Sequence, residues 1–112
     1  MSAAGQALIA QTPEPPYYAV IFSSVRTPID EGYGEMAELM LRLAAEIDGF
    51  LGVESARNEL GITVSYWRDL EAIARWKQQA QHRLAQQYGR EKWYAAFKTR
   101  IALVEKDYGF ER

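Results

Sequence analysis

The chain has 112 residues, a length that suits one domain with one hydrophobic core. Its apolar fraction of 48%, charged fraction of 25% and formal net charge of −2 are those of an ordinary globular protein without a basic stripe for nucleic acid. No apolar run approaches the roughly 18 residues that span a bilayer, and the absence of cysteine excludes disulfides, thiolate metal sites and cysteine nucleophiles.

Residues 1–16 are predicted to form a flexible N-terminal tail, and residues 17–112 a single domain. Pro13, Pro15 and Pro16 favour extended backbone and exclude a helix there. No Lys or Arg precedes the weak apolar patch "ALIA", which argues against a secretory signal. We therefore expect a cytoplasmic location.

The stretch "YYAVIFSSV", Tyr17 to Val25, predicts the first strand, because nearly every position is β-branched or aromatic. Both of its faces are apolar or small. A strand of this kind is covered on both sides. In so short a chain helices can cover one face, and we expect a second subunit to cover the other.

A helix follows from Glu31 to Ile47, where apolar residues recur at intervals of three and four. Asp30 is the predicted N-cap and Gly49 occupies the usual stop position. The stretches "VESARN" and "ITVSYWR" then predict two strands, and the link "ELG" between them indicates a hairpin.

Asp69 is the predicted cap of a second helix, which reaches about Tyr88. Its apolar stripe consists of Leu70, Ile73, Trp76, Ala80 and Leu84. The alternating stretch "WYAAFKTRIALVEKDY", Trp93 to Tyr108, predicts the final strand. The order βαββαβ predicts an α+β, ferredoxin-like fold with a four-stranded antiparallel sheet and two helices on one face.

At "GFLGVESAR", "GITVSYW" and "IARWKQQAQH" the sequence resembles the antibiotic biosynthesis monooxygenase family, the dimeric α/β-barrel proteins. The resemblance covers about Tyr17 to Phe110. It implies that two ferredoxin-like sheets pair into a shared barrel, and hence a homodimer. Some members of the family oxidise aromatic phenols with O₂ and no metal or flavin, others open heme, and others act on quinols or aldehydes.

The resemblance to the heme-degrading branch is partial. Trp76 falls where that branch has a tryptophan beneath the porphyrin. The branch's axial histidine comes about ten residues after this tryptophan, whereas His82 follows after six. Ser23 and Ser24 stand where the branch has an asparagine on the first strand. Heme cleavage is therefore disfavoured, and no cofactor is expected.

His82 is the chain's single histidine, which is too few for a zinc ligand set, and two interpretations of it stay open. On a continuous helix it lies about 120° away from Trp76, among polar residues, which favours a solvated or capping role. Its unperturbed pKa suits a catalytic base near neutral pH. The catalytic interpretation needs a break in the helix between about Gln78 and Gln81.

Trp76 and Trp67 are either core residues or walls of a flat aromatic pocket. Strand alternation places Tyr66 and Trp67 on opposite faces, one towards the helices and the other towards the barrel. Trp76 is a candidate catalytic residue, and Trp67, Phe97 and Tyr66 are candidate substrate-binding residues. Lys98 and Arg100 are predicted to meet solvent or a carboxylate, and an anion-binding role is the alternative. Ser23 and Ser24 have no evident base, so a serine nucleophile is not expected.

The sequence and the resemblance together favour a cofactor-independent monooxygenase that acts on a small flat aromatic or quinol-type substrate. In this hypothesis His82 removes a proton, and Trp76 and Phe97 stack on the substrate. A heme-binding protein and a non-catalytic dimeric binding module are the alternatives. The sequence does not decide whether the chain is an enzyme.

Overall fold

A computed structural model describes the backbone of residues 8–87 and 92–112, and the side chains of residues 8–80 and 92–112. Six helices and strands follow one another in the order that the sequence predicts. They are β1 (Tyr17–Arg26), α1 (Tyr33–Glu46), β2 (Phe50–Arg57), β3 (Gly61–Trp67), α2 (Leu70–Gln87) and β4 (Tyr94–Val104). The predicted βαββαβ order is therefore confirmed.

The four strands form one antiparallel sheet in the order β2-β3-β1-β4. The central strand β1 places Tyr18 opposite Trp67 of β3 and Leu103 of β4. With two helices, this topology is the predicted α+β, ferredoxin-like fold. None of the helices in the described part of the chain is long and apolar enough to cross a membrane.

The core lies between the sheet and the two helices. Val20 of β1 and Trp67 of β3 pack with Ala44 of α1 and with Ala72 and Ile73 of α2. Trp67 and Ala72 have no exposed surface, so the inner face of the sheet is the one that carries Trp67. We call the opposite face of the sheet, which carries Tyr17, Ala19 and Tyr66, the outer face.

The apolar stripe predicted for α2 is wrong at its first member. Leu70 is 51% exposed, and Ala72 is buried instead. At about 100° per residue, the buried positions 72, 73 and 80 share one side of the helix, and Leu70 lies about 100° from their centre. Periodicity alone therefore extended the stripe one turn too far.

The two helix starts differ in how well the sequence predicts them. Asp69 caps α2, since its Oδ1 accepts a hydrogen bond of 2.8 Å from the Ala72 N–H. Asp30 does not cap α1: the helix begins after Gly32, whose φ is 80°, and no side chain caps it. The Asp30 carboxylate instead accepts a hydrogen bond of 3.1 Å from Arg26, so the predicted cap at Asp30 is wrong.

Several strand boundaries also differ from the prediction, and β2 begins at Phe50 rather than at Val53. Gly61 is the first residue of β3 rather than part of the hairpin link, which is closed by a hydrogen bond of 3.1 Å from the Asn58 N–H to the Leu60 carbonyl. Strand β4 ends at Val104, although alternation in the sequence continues to Tyr108. Residues 105–112 leave the sheet and are exposed.

Both terminal segments contact the outer face of the sheet. The Ala10 N–H donates a hydrogen bond of 3.0 Å to Glu54, and the Thr12 hydroxyl donates one of 3.0 Å to the Tyr17 hydroxyl. The Tyr17 hydroxyl in turn donates to the carboxylate of Asp107. The segment predicted as a flexible tail is thus in contact with the sheet at one end of this face.

Candidate functional site

An open cavity of about 830 Å³ lies between the inner face of the sheet and the helices. It exists because α1 presents small and flexible side chains there, including Ala37, Met40 and Ala44. Among the residues whose side chains are described, eight aromatic ones line it: Phe22, Tyr33, Phe50, Trp67, Trp76, Trp93, Tyr94 and Phe97. A concave, mostly apolar space of this size is typical of small-molecule sites.

Trp67, Phe50 and Trp76 form one end of the cavity. The ring of Trp67 meets Phe50 edge-on at 5.2 Å and lies 5.7 Å from Trp76, between ring centroids. The Trp67 indole N–H donates a hydrogen bond of 2.8 Å to Ser65. Trp67 and Trp76 each pack in or against the core, and each also lines the cavity. Both interpretations of these tryptophans, as core residues and as pocket walls, therefore apply.

The indole nitrogen of Trp76 is buried and has no hydrogen-bond partner among the described residues. Most buried N–H groups in proteins are paired, because an unpaired one loses its hydration without compensation. The Trp76 ring lines the cavity, but its nitrogen has almost no accessible surface, so a ligand oxygen can reach this N–H only if a neighbouring side chain moves.

A second aromatic group lines the other end of the cavity. Phe22 lies 5.4 Å from both Tyr94 and Phe97, and Tyr94 lies 5.9 Å from Tyr33. Burial, and then a hydrogen bond with Tyr33, raise the pKa of Tyr94, so its hydroxyl is neutral at physiological pH. Phe97, a predicted substrate-binding residue, is therefore part of the cavity wall.

Tyr94 does not lie on the face that strict alternation along β4 would give it. Strict alternation places it with Lys98 and Arg100, but the pairing of β1 with β4 shifts between Val25 and Arg26. This bulge turns Tyr94 towards Phe97 and the cavity. Lys98 and Arg100 are exposed and pair in register with Ser23 and Ile21.

Arg57 is a cavity residue that the sequence analysis did not identify. Its guanidinium donates hydrogen bonds to the hydroxyl and the carbonyl oxygen of Ser24, which is 1% exposed. The signal that could have found it is the register of the hairpin, which sets Arg57 opposite Gly61. A glycine leaves the inner face open for a long side chain to cross it.

Tyr66 lies on the outer face and does not line the cavity. Its hydroxyl donates a hydrogen bond of 2.7 Å to Glu54, and its ring meets Tyr17 edge-on at 5.9 Å. Burial, and then the hydrogen bond to the Glu54 carboxylate, raise the pKa of Tyr66. The structure thus separates Tyr66 from Trp67, Trp76 and Phe97, with which it was predicted to bind substrate.

His82 lies within α2, and its side chain is outside the described residues. The helix runs from Leu70 to Gln87 without the interruption between Gln78 and Gln81 that the catalytic interpretation required. Its role as a base stays a prediction. Among the described residues, no three His, Cys, Asp or Glu side chains come together in a way that could hold a metal ion.

Fold and cavity together define the class: a ferredoxin-like α+β protein with an aromatic cavity between its sheet and its helices. The model of the antibiotic biosynthesis monooxygenase family matches residues 16–88, well over half of the chain. The chain belongs to this family, as the resemblance in the sequence indicated. It is also 50% identical over 105 residues to the protein YqjZ of Bacillus subtilis (strain 168), described as uncharacterized, and the match covers 92% of each chain.

Solved structures share the fold at low sequence identity. A candidate antibiotic biosynthesis monooxygenase from Chloroflexus aurantiacus superposes with a TM-score of 0.60 at 17% identity, covering 83% of this chain and 97% of that one. The protein PA3566 from Pseudomonas aeruginosa gives 0.56 at 22% identity, covering 86% and 99%. The protein NE2512 of unknown function from Nitrosomonas europaea gives 0.62 at 12% identity, covering 89% and 98%.

Proposed function

We propose that this protein is a monooxygenase that oxidises a small, flat aromatic or quinol-type substrate with O₂ and without a cofactor. The observation that carries the proposal is the cavity between the sheet and the helices, which is lined by aromatic rings. Membership of the antibiotic biosynthesis monooxygenase family supports the reaction class. A flat substrate suits walls built from Trp76, Trp67 and Phe97.

The chemistry requires little of the protein. An electron-rich phenol or anthrone that has lost a proton can itself reduce O₂, so one oxygen atom enters the substrate and the other leaves as water. In the proposal Trp76 and Phe97 hold the ring system. His82 is the candidate base, although α2 continues through it and gives it no helix break to turn it towards Trp76. Movement of a neighbouring side chain would let the buried Trp76 N–H donate to the substrate oxygen, on which negative charge develops after deprotonation.

Oxygen uptake with a panel of anthrones and hydroquinones tests this proposal. We expect the protein to accelerate uptake by at least one member of the panel, and the variant His82→Ala to lose most of that acceleration. An unchanged rate in His82→Ala would remove His82 from the mechanism. Binding of panel members without any uptake would favour the non-catalytic binding module.

Heme is the ligand that the partial resemblance to the heme-degrading branch raises as an alternative. Titration with hemin separates the two functions, because bound hemin shifts the Soret band. We expect no shift at micromolar protein, since the sequence has neither the histidine spacing nor the first-strand asparagine of that branch. A saturable shift would replace the present proposal with heme binding.

The proposal includes a homodimer located in the cytoplasm. Proteins of the family are typically dimeric. The outer face carries partly exposed apolar side chains, since Val25 is 43% exposed and Ile62 is 41% exposed. Ala19 on the same face is buried. A second copy of the sheet would cover these apolar side chains, as the doubly apolar sequence of β1 requires.

A further inference from the structure

The side chain of Arg57 is held across the inner face of the sheet by its neighbours. Arg57, Gly61 and Ser24 are paired in register on three adjacent strands. A Cβ atom on Gly61 would lie only 2.1 Å from the Arg57 Cζ, so the guanidinium passes directly over this glycine. It ends at the hydroxyl and carbonyl oxygens of Ser24, which fix its position at the edge of the cavity.

The charge of Arg57 has no carboxylate partner in the described part of the chain. The ion pairs found there join Arg26 to Asp30 and Arg68 to Asp48 and Asp69. A guanidinium has five N–H groups, and the two hydrogen bonds to Ser24 use two of them. Three N–H groups therefore remain to bind an anion at the cavity.

Phe50, Trp67 and Trp76 form one end of the cavity, and the exposed Arg57 cation lies elsewhere on its edge, near the neutral hydroxyl of Tyr94. Lys77 and Lys98, which are also exposed, line the cavity as well, whereas the hydrogen bonds to Ser24 hold Arg57 in place. A planar guanidinium binds carboxylates and other oxyanions through parallel, charge-assisted hydrogen bonds. An uncharged aromatic ligand would leave this cation unused.

We propose that the ligand of this cavity is an aromatic anion whose carboxylate binds Arg57 while its ring system lies among the cavity aromatics. This inference rests on the proposed function, because it names the substrate class for the same cavity. Arg57 then determines specificity, selecting anionic over neutral ring systems and fixing which end of the ligand faces the tryptophans.

Isothermal titration calorimetry at pH 7 with 2-naphthoate and 2-naphthalenemethanol tests the inference, because the two probes share a ring system and differ in charge. We expect the wild-type protein to bind the naphthoate about tenfold or more tightly than the alcohol. Arg57→Gln should remove this preference and leave affinity for the alcohol within about twofold. Arg100→Gln, the same change at an exposed arginine outside the cavity, should keep the preference.

Equal affinity of the wild-type protein for the two probes, or binding of neither at millimolar concentration, would overturn the inference without any variant. Equal weakening of naphthoate binding by Arg57→Gln and Arg100→Gln would also overturn it, because net charge alone would then explain the effect. Preferential binding of naphthoate without oxygen uptake by any substrate would support anion binding by Arg57 and contradict the monooxygenase activity. Oxygen uptake without a preference between the probes would contradict only anion binding by Arg57.

Discussion

The side chains of Trp76 and Arg57 give the cavity its chemistry, and they were visible in the sequence to different degrees. Trp76 was a candidate because a large aromatic residue stands on a helical stripe. Its N–H has no partner among the described residues, and this could not be predicted, since pairing depends on which side chains lie around the ring. Arg57 could be identified as a cavity residue only from the hairpin register that sets it opposite Gly61. The sequence pattern places Gly61 in the link rather than in the strand.

The sequence likewise predicts only part of the placement of the neighbouring residues Tyr66 and Trp67. Alternation correctly separates them onto two faces, because successive side chains of a strand point in opposite directions. Which face the helices cover depends on long-range packing. Because both residues are aromatic, their side-chain chemistry does not favour either one for the covered face. The structure assigns Trp67 to the helices through its contacts with Phe50 and Trp76, and Tyr66 to the outer face.

A prediction at residue scale concerns the cap of α2. The hydrogen bond from the Ala72 N–H, followed by one from Arg68, holds the pKa of Asp69 below its ordinary value of 3.8. A lowered pKa in the fold stabilises the protein above the unfolded-state pKa, and this contribution is lost as the pH falls through the folded-state pKa. Asp69→Ala should therefore lower the midpoint of urea unfolding at pH 7, and the difference from wild type should shrink near pH 2.

Asp30→Ala is the matched control for this cap. Asp30 is the predicted cap of α1, but the helix begins three residues later, at Tyr33. The Asp30 side chain is 88% exposed and pairs with Arg26. Exposed pairs of this kind contribute little to stability, so the midpoint should barely change. Equal losses for Asp69→Ala and Asp30→Ala at pH 7 would contradict the difference in capping that the structure shows.

At the scale of elements, the junction between α1 and β2 depends on Gly49. Its φ of 105° lies in the region that favours glycine, and a Cβ atom there would come within 2.7 Å of the Ala72 Cβ. This close approach brings the start of β2 against the first turn of α2. The sequence predicted a stop glycine at this position but not the contact with Ala72, which depends on how the two helices pack.

Gly49→Ala should destabilise the protein by about 1–3 kcal/mol, because backbone strain and the contact with Ala72 add together. Gly34→Ala is the matched control. Gly34 lies within α1 with nothing within 4 Å of a Cβ atom, so alanine there should stabilise by about 0.5–1 kcal/mol. Urea unfolding of both variants measures the two signs, and destabilisation by both would contradict the account of Gly49.

Element order was the most predictable level of the fold. Six stretches with clear periods of two or three to four residues gave the βαββαβ order, which in turn favours the sheet order now observed. The ends of strands were less predictable where the alternating pattern in the sequence continues beyond the last residue of the strand, as it does after Val104. The bulge beside Arg26 was likewise invisible, because no glycine or proline marks it.

For the whole molecule, the homodimer is the prediction that follows from the outer face. Light scattering at micromolar concentration should give twice the 12.8 kDa chain mass. Ile62→Asp places a charge on this face and should shift the protein towards monomer, since burying an unpaired charge is unfavourable. Leu70→Asp, a similar change at an exposed residue of α2, should remain dimeric. A monomeric wild-type protein would contradict the second-subunit interpretation of β1.

We infer that substrate reacts in the cavity beside Trp76, and this can be measured by the rate of oxygen uptake by Trp76→Phe. Phenylalanine keeps an aromatic wall and removes an N–H that has no partner among the described residues. The kcat/KM with the best substrate should therefore fall about tenfold or more, as expected for loss of a hydrogen bond to a charged oxygen. Trp93→Phe is the control, because the Trp93 N–H already donates to the Glu31 carbonyl at 2.8 Å. A kcat/KM for Trp76→Phe equal to that of wild type, in a folded variant, would show that substrate does not react beside Trp76.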